Sequence, residues 1–275
     1  MQKKRFEDKV VYITGAARGQ GRSHAVHFAR EGARIAIFDL CEQVGSVVYD
    51  MSTEADLAQT VRLCEAEGAE VVSGKVDVRD FDAVDAFTHQ VLDRWGKIDV
   101  LVANAAIFGN SPLVDMSPQT FRDMIDVNLT GVFNTLRSVA PGMLERKYGR
   151  IVCVGSVCSV MGYPNVSHYV AAKHGVDGLV KALAHEFGGD GVTINLVAPN
   201  GVATDMILNQ PTYNLVSPDN PTLEGAKTAF TWGNAIPLPF IAPEDVSKVV
   251  LFMGSDEAQY TTGSVVKCDL GRTSW

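Results

Sequence analysis

A tyrosine and a lysine lie four residues apart in the segment Tyr169-Val-Ala-Ala-Lys173. If the segment is helical, the two side chains share one face, one turn apart. A free phenol titrates near pH ~10 and is a poor acid–base group at neutral pH, but a nearby ammonium favours the phenolate and lowers that pKa. The pair is a candidate for proton transfer at a substrate oxygen, although the same spacing also occurs by chance on many helices.

Two polar residues upstream make this interpretation more specific. Ser156 follows an apolar run that resembles the end of a strand, and its hydroxyl can donate a hydrogen bond to the oxygen on which Tyr169 acts. Asn128 lies further upstream, in a long helical pattern. A hydrolase nucleophile is not predicted at Ser156, because the sequence around it lacks the second glycine of a nucleophile elbow. The set predicts acid–base chemistry at an alcohol or carbonyl oxygen.

A glycine-rich turn, Thr14-Gly-Ala-Ala-Arg-Gly-Gln-Gly21, precedes these residues between a short apolar strand and a helix. Gly15, Gly19 and Gly21 permit a tight turn and a close approach of the backbone. The following helix offers free N–H groups and a positive dipole end to a pyrophosphate. The position of the turn predicts a dinucleotide site.

Asp39 ends the next predicted strand, eighteen residues after Gly21. An acidic residue there can accept hydrogen bonds from the adenosine ribose hydroxyls and repels a 2′-phosphate. Arg18 could instead contact a 2′-phosphate, but with Asp39 present we expect NAD rather than NADP. The alternative is that Asp39 only caps the turn at the end of its strand.

Strand and helix patterns alternate along the whole chain of 275 residues. Short buried strands are predicted at 10–14, 34–38, 70–73, 98–103, 150–155, 193–197 and 264–268, and helices at 22–31, 81–95, 118–147 and 167–187, with a further helix starting near Thr53. This alternation predicts an α/β chain with one Rossmann domain, a doubly wound seven-stranded parallel sheet and helices on both faces. Asp77, Val78 and Asn104-Ala-Ala106 then lie at carboxyl ends of strands, where ligands of such folds bind.

Two segments interrupt the alternation. Residues 41–52 form a connection longer than the two to six residues that usual βα loops take. Residues 206–242 carry several prolines and aromatic residues, and long segments of this kind are usually lids or binding loops. The alternative, a flexible insertion, would leave the aromatic side chains exposed.

Composition excludes several classes of protein. The net charge of −8 gives no basic surface for nucleic acid or anionic lipid. No run approaches the ~20 apolar residues of a membrane span, and the five scattered cysteines suit a reducing cytoplasm. His24 and His27 lie three apart on one helix but lack a third ligand, so no metal site is predicted.

Taken together, these motifs resemble those of the short-chain dehydrogenase/reductase family over nearly the whole chain. They are present as Thr14-Gly-x-x-x-Gly-x-Gly21, Asp77, Asn104-Ala-Ala106, Asn128, Ser156, Tyr169-x-x-x-Lys173 and Pro199-Asn-Gly-Val-x-Thr204. Two positions depart from the usual pattern: the family more often has Ala-Gly after Asn104, and Asn200 replaces a glycine.

The resemblance implies a role for each matching residue. Tyr169 is the acid–base group, Lys173 lowers its pKa and holds the nicotinamide ribose, Ser156 binds the reacting oxygen, and Asn128 holds a water that links Lys173 to solvent. The residues expected to contact NAD are Gly15, Arg18, Gly19, Gln20, Gly21, Asp39, Leu40, Asp77, Val78, Asn104, Ala105, Ala106, Val127, Tyr169, Lys173, Pro199, Gly201, Val202 and Thr204. The resemblance also implies a homotetramer.

A narrower resemblance is to the mycofactocin-associated branch, which includes carveol dehydrogenases. It is carried by Gly15-Ala-Ala-Arg-Gly-Gln-Gly-Arg-Ser-His24, by His168-Tyr-Val-Ala-Ala-Lys-His-Gly175 and by the extra segment after Asp39. In that branch the extra segment is thought to cover NAD, which stays bound and is reoxidised in place by a peptide-derived redox carrier. Residues 41–52 would form the cover here.

The expected substrate is a small hydrophobic secondary alcohol, terpenoid or alicyclic, or the corresponding ketone. The expected contacts are mostly apolar residues beside the catalytic set or in the 206–242 segment: Ser156, Val157, Cys158, Tyr163, Tyr169, Met206 and Trp232. Each of the apolar ones is as often a core residue as a contact. The alternatives are a conventional ketoreductase with exchangeable NAD(H) and a non-catalytic NAD sensor, although a sensor has no use for a proton donor.

Overall fold

The computed structural model describes residues 4–274, and its centre is a sheet of seven parallel strands. The strands are β1 (Val10–Thr14), β2 (Arg34–Asp39), β3 (Val71–Lys75), β4 (Val100–Ala103), β5 (Gly149–Val154), β6 (Val192–Pro199) and β7 (Val265–Cys268). Their order across the sheet is β3-β2-β1-β4-β5-β6-β7. The order reverses between β1 and β4, so the carboxyl ends of these two strands border the crevice where ligands of open α/β sheets bind.

Helices cover both faces of the sheet. They are α1 (Gly19–Arg30), α2 (Glu54–Ala66), α3 (Phe81–Trp95), α4 (Pro118–Ile125), α5 (Gly131–Glu145), α6 (Ser167–Phe187), α7 (Gln210–Val216), α8 (Leu223–Thr231) and α9 (Pro243–Met253). One apolar core joins the sheet to α3, α5 and α6, and a second joins its other face to α1, α2 and α9. The predicted doubly wound parallel fold is confirmed.

Aromatic packing fixes the first of these cores. Tyr12, Phe38 and Phe87 meet edge to face, with ring centroids 5.2–5.6 Å apart. Such contacts contribute about 0.5–1.5 kcal/mol beyond the burial of their area. They hold β1, β2 and α3 together beneath the carboxyl ends of the strands.

Most predicted strands differ from the observed ones by only one or two residues at their ends. The strand predicted at 98–103 begins at Val100, and the one predicted at 70–73 runs from Val71 to Lys75. Asp99 precedes β4, and its buried carboxylate accepts the amide proton of Val10 at 2.9 Å. This contact between side chain and backbone is invisible in a pattern of apolar residues.

The long helix predicted at 118–147 was wrong as a single element. A π-helical turn at Asp126–Thr130 separates α4 from α5. Within this wider turn, the side chain of Asn128 hydrogen-bonds both backbone groups of Ile107. Just after it, Gly131 lies so close to Val78 that a Cβ there would collide with the valine side chain. These tertiary contacts leave no mark in the periodicity of the apolar residues, so the sequence pattern alone could not predict the π-helical turn.

The 206–242 segment was predicted as a long irregular stretch, but it contains the short helices α7 and α8. Asn209 caps the first, accepting the amide proton of Thr212 at 2.9 Å. The base of the segment is closed where Ala203 donates to the carbonyl of Ile241 and Ile241 donates to that of Gly201, both at 2.9 Å. Among residues 4–274, no helix combines the length and apolar character needed to cross a membrane.

Candidate active site

Two adjoining cavities open at the carboxyl ends of the strands. The loop cavity, of about 150 Å³, surrounds the glycine-rich turn, and the side cavity, of about 340 Å³, lies beneath the 206–242 segment. Gln20, Gly155, Tyr169, Thr204 and Met206 line both. The predicted acid–base tyrosine therefore lies where the two cavities meet.

Most of the residues predicted to contact a dinucleotide line the loop cavity. They are Gly15, Arg18, Gly19, Gln20, Gly21, Asp39, Leu40, Asp77, Val78, Asn104, Ala105, Ala106, Val127, Tyr169, Lys173 and Thr204. The remaining three, Pro199, Gly201 and Val202, line the side cavity instead.

The glycine-rich turn has the shape expected of a phosphate site. Gly15 and Gly19 have φ values of 65° and 56°, a region that favours glycine. A Cβ on Gly21 would collide with the carbonyl of Gly15 and the side chain of Asn104. Helix α1 begins at Gly19 and directs its first amide groups towards this end of the sheet. The turn thus leaves room for a pyrophosphate and supplies donors for it.

Asn104 holds that turn against β4. Its side-chain amide donates to the carbonyls of Thr14 and Gly15, both at 2.9 Å. The Thr14 hydroxyl accepts the amide protons of Asn104 and Ala105 at 3.0 and 2.9 Å. Asn104 thus shapes the wall of the loop cavity through hydrogen bonds to the protein backbone.

Asp39 lies on the wall of the loop cavity and also caps the end of its strand. Its carboxylate lines the loop cavity and is 8% exposed. It also accepts hydrogen bonds from Ala17 N at 3.0 Å, Cys41 N at 3.2 Å and Ser52 Oγ at 2.7 Å. These bonds tie β2 to the glycine-rich turn and to both ends of the insertion segment, residues 41–52.

Asp77 forms an ion pair with Arg79, two residues further along the same loop. The guanidinium of Arg79 contacts both of its carboxylate oxygens, at 2.6–3.0 Å. Val78 follows it on the cavity wall, and the carbonyl of Val78 accepts a hydrogen bond from Asn134 at 2.9 Å. The end of β3 is thereby anchored to α5.

Tyr169 is buried near the start of α6. Its ring packs edge to face against Phe108, with centroids 5.1 Å apart. Burial raises the pKa of the phenol well above its usual value, and the thiol of Cys158 raises it further, while the Ser156 hydroxyl acts in the opposite direction. Burial is the largest cause of this shift.

Lys173 lies one turn after Tyr169 and is 2% exposed. Its ammonium donates to the carbonyl of Val154 at 2.9 Å and lies 5.6 Å from the centre of the Tyr169 ring. Burial lowers the pKa of Lys173 to about 8. The group is still mainly protonated at neutral pH, so a positive charge is available beside the phenol.

Ser156 and Asn128 complete the predicted set. Ser156 caps the short turn Val157–Ser159, its hydroxyl accepting the amide proton of Cys158 at 3.2 Å. Asn128 is fully buried, and its side chain accepts from Ile107 N at 2.8 Å and donates to Ile107 O at 2.9 Å. Its side chain thus positions the loop after β4, and its water-holding role stays a prediction.

The side cavity contains all but one of the predicted substrate contacts. Ser156, Val157, Cys158, Tyr163, Tyr169 and Met206 line it. Trp232 does not, and its side chain is 77% exposed. The cavity wall is mostly apolar, with Phe108, Val166, Leu215 and Phe230 among its other members.

Among the site residues that sequence reasoning missed, Tyr49, Phe108 and Arg272 make the most informative contacts. Tyr49, in the insertion segment, lines the loop cavity, and its hydroxyl accepts the amide proton of Phe108 at 3.2 Å. Phe108 in turn packs on Tyr169. Arg272, near the end of the chain, lines the side cavity. The aromatic identity of Tyr49 within the unusual insertion was the only available signal, since all three contacts are long-range.

The match to known proteins decides the family. Residues 9–213 match the sequence model of the family described as short chain dehydrogenase. The chain belongs to the short-chain dehydrogenase family. This confirms the resemblance drawn from the motifs.

Several relatives of this dehydrogenase match along their whole length. A (−)-trans-carveol dehydrogenase of Rhodococcus erythropolis is 40% identical over 274 residues, 98% of this chain and 99% of that protein. The crystal structure of carveol dehydrogenase from Mycobacterium avium, in complex with NAD, superposes with a TM-score of 0.96 at 39% identity, covering 99% of this chain and 100% of the other. A short chain dehydrogenase from Mycobacterium paratuberculosis, bound to NAD, gives a TM-score of 0.91 at 35% identity, covering 98% and 100%.

Proposed function

We propose that this dehydrogenase interconverts a small hydrophobic secondary alcohol, terpenoid or alicyclic, and its ketone, with NAD as a tightly held cofactor. The observation that carries the proposal is the position of Tyr169 on the wall shared by the loop cavity and the side cavity. A proton donor at this junction can serve a substrate in one cavity while a dinucleotide occupies the other. The carveol dehydrogenase names of the relatives support the alcohol class.

NAD is the cofactor of this enzyme, and the loop cavity suits it. The glycine-rich turn provides the pyrophosphate site, and the Asp39 carboxylate disfavours a 2′-phosphate. When bound, the cofactor would supply the hydride chemistry, while the residues of the protein place the reactants. Val202 and Thr204 are proposed to hold the carboxamide side of the nicotinamide.

The chain's own residues manage the proton. Tyr169 takes the hydroxyl proton when an alcohol is oxidised and returns it when a ketone is reduced. Ser156 donates to the same oxygen, which stabilises negative charge there and orients the substrate. The protonated Lys173, held by the carbonyl of Val154 at 2.9 Å, favours the phenolate form of Tyr169. Asn128 fixes the loop after β4 and is proposed to hold a water that connects Lys173 to solvent.

The insertion segment is proposed to retain the cofactor. Val44, Tyr49, Met51 and Ser52 line the loop cavity from this side. Arg18 donates to the carbonyl of Asp50 and forms an ion pair with Asp205 at 3.2 Å, so it connects the insertion segment with the residue that directly precedes the 206–242 segment. The resemblance to the mycofactocin-associated branch implies that an enclosed cofactor is reoxidised in place, and from that resemblance we propose a peptide-derived redox carrier as partner.

The side cavity supports an apolar substrate. Its wall combines Val157, Cys158 and Met206 with the ring of Phe230. Burial raises the pKa of the Cys158 thiol to about 11, so this residue is a neutral, weakly polar part of the wall. The 206–242 segment is proposed to close over the substrate. Assembly as a homotetramer is proposed from the family resemblance alone, and a cytoplasmic location is proposed from the five scattered cysteines.

Released cofactor and turnover test the proposal together. The purified protein, without added cofactor, is denatured and its nicotinamide nucleotide is quantified per chain. The same preparation is given secondary alcohols with free NAD or with an artificial electron acceptor. Near-stoichiometric NAD, with turnover only when the acceptor is present, is the expected result. Protein that is empty and reduces added NAD would instead be a conventional dehydrogenase with exchangeable cofactor.

A further inference from the structure

Arg272 is the one cationic side chain among the described residues that line the side cavity. It belongs to the C-terminal turn, residues 269–274, which the buried carboxylate of Asp269 organises. This carboxylate accepts from Gly271 N at 3.0 Å and from Thr273 N and Oγ1 at 2.9 and 2.6 Å. The turn is therefore a built structure that presents Arg272 to the cavity.

Two neighbours fix the guanidinium. Its Nε donates to the hydroxyl of Tyr163 at 2.7 Å, and another of its nitrogens donates to the carbonyl of Trp232. The guanidinium carbon lies 5.5 Å from the centre of the Tyr163 ring and 5.7 Å from that of Trp232. These contacts determine the orientation of the side chain. They use two of its five N–H donors and supply no negative charge.

No carboxylate within residues 4–274 forms an ion pair with Arg272. The acidic side chain nearest in sequence, Asp269, is occupied by the donors of its own turn. An oriented cation that has no carboxylate partner among residues 4–274, on the wall of a largely apolar cavity, is a site that a carboxylate fits because the planar fork can bind both of its oxygens.

We propose that Arg272 binds a carboxylate on the substrate, at a distance from the carbon that is oxidised. The substrate class is thereby narrowed to hydrophobic secondary alcohols that carry an acid group on the same skeleton. This inference rests on the proposed function, because it takes the side cavity to be the substrate site. Tyr163 and Trp232 act as positioning residues for the guanidinium.

Matched pairs of compounds test this assignment. The ratio of kcat/KM for 4-hydroxycyclohexanecarboxylate to that for 4-methylcyclohexanol is measured on the NAD-loaded enzyme with the artificial electron acceptor present. Arg272→Met removes the charge and keeps most of the volume, and Arg272→Lys keeps the charge without the fork. We expect the ratio to exceed one in the native enzyme, to fall about 10- to 100-fold in Arg272→Met, mainly through KM, and to recover partly in Arg272→Lys. An unchanged ratio in Arg272→Met would overturn the proposal.

Binding without turnover separates this inference from the proposed function. Calorimetric titration of the NAD-loaded enzyme with cyclohexanecarboxylate, which has no hydroxyl to oxidise, should give binding that Arg272→Met abolishes. That result supports the carboxylate site even if no alcohol is turned over, in which case the proposed function alone fails. Equal binding of the methyl ester would show recognition of a neutral oxygen and would overturn the anion assignment. Absence of binding would overturn it as well.

Discussion

The loop cavity and the side cavity differ in how their walls are made. Strand ends, the glycine-rich turn and the first turn of α1 build most of the loop cavity, and its residues are constrained by the backbone, as Gly15 and Gly21 are. Much of the side cavity is built by the 206–242 segment and by the C-terminal turn, which the sheet does not dictate. The first is thus a property of the fold, and the second is a property of this particular chain.

The largest expected effect falls on the residue that both cavities share. Replacing Tyr169 by Phe removes the proton donor and should lower kcat by about 10²- to 10⁴-fold, the usual contribution of general acid–base catalysis. The NAD content of the purified protein should stay the same, since the phenyl ring still packs on Phe108. Steady-state rates and released nucleotide per chain check both parts. Substantial turnover in this variant would remove Tyr169 from the mechanism.

Gly21→Ala tests whether the loop cavity depends on backbone geometry. The added Cβ collides with the carbonyl of Gly15, so we expect loss of bound NAD and a free energy of unfolding lower by about 1–3 kcal/mol. Gly178→Ala on α6 is the matched control, because a Cβ there meets no atom within 4 Å. Denaturant unfolding and nucleotide release give the comparison. Equal behaviour of the two variants would mean that the turn does not require glycine.

The buried ammonium of Lys173 predicts a pH dependence of stability. Its pKa in the folded state is about 8, below the unfolded value of 10.5, so burying the charged form costs about 3 kcal/mol below pH 8 and progressively less as pH rises to 10.5. Lys173→Met removes this cost. Relative to the native protein, the free energy of unfolding of the cofactor-free variant should therefore be highest below pH 8. Between pH 8 and 10 the native protein should gain stability relative to the variant, because Lys173 loses its charge in the folded state. A difference independent of pH would contradict the lowered pKa.

Tyr49→Phe removes a hydrogen bond between the insertion segment and the loop after β4. The variant loses the hydroxyl that accepts the amide proton of Phe108 and so leaves that amide unpaired. We expect NAD to dissociate about 2- to 10-fold faster, corresponding to one hydrogen bond of about 0.5–1.5 kcal/mol. Val48→Ala changes an exposed side chain of the same segment and serves as control. Stopped-flow release of NAD distinguishes them. An unaltered rate in Tyr49→Phe would remove this contact from cofactor retention.

The smallest effect is expected at the ion pair between Arg18 and Asp205. Asp205 is largely exposed, and exposed pairs contribute about 0.2–1 kcal/mol, so Asp205→Asn should accelerate NAD release only about two- to five-fold, with less effect at high salt. Glu224→Gln disrupts a comparable pair with Lys227 in α8 and should leave the release rate as it is. If Asp205→Asn and Glu224→Gln accelerate NAD release equally, the acceleration comes from the change in net charge and not from the ion pair between Arg18 and Asp205.

The sequence predicted many of the residues that line the loop cavity, because Asp39 ends a strand, Asn104 follows one and Gly21 belongs to the glycine-rich turn, and the arrangement of these elements follows from their alternation. It could not predict the π-helical turn at Asp126–Thr130, since the contacts of Asn128 with Ile107 join distant parts of the chain. Trp232 was expected to face the substrate by its aromatic character, yet its ring packs beside Arg272 outside the cavity. Side chains on such segments are placed by tertiary contacts, which carry no local pattern.

The two backbone hydrogen bonds between residues 201–203 and Ile241 have a consequence for the evolution of this enzyme. They close the 206–242 segment at its base, so the ends of the segment are held together whatever their connection contains. Lengthening or exchanging such a closed connection costs little loop entropy and does not disturb β6 or α9. Substrate preference can therefore diverge by replacement of the 206–242 segment alone. Its closed base also offers a site at which the corresponding segments of relatives can be grafted.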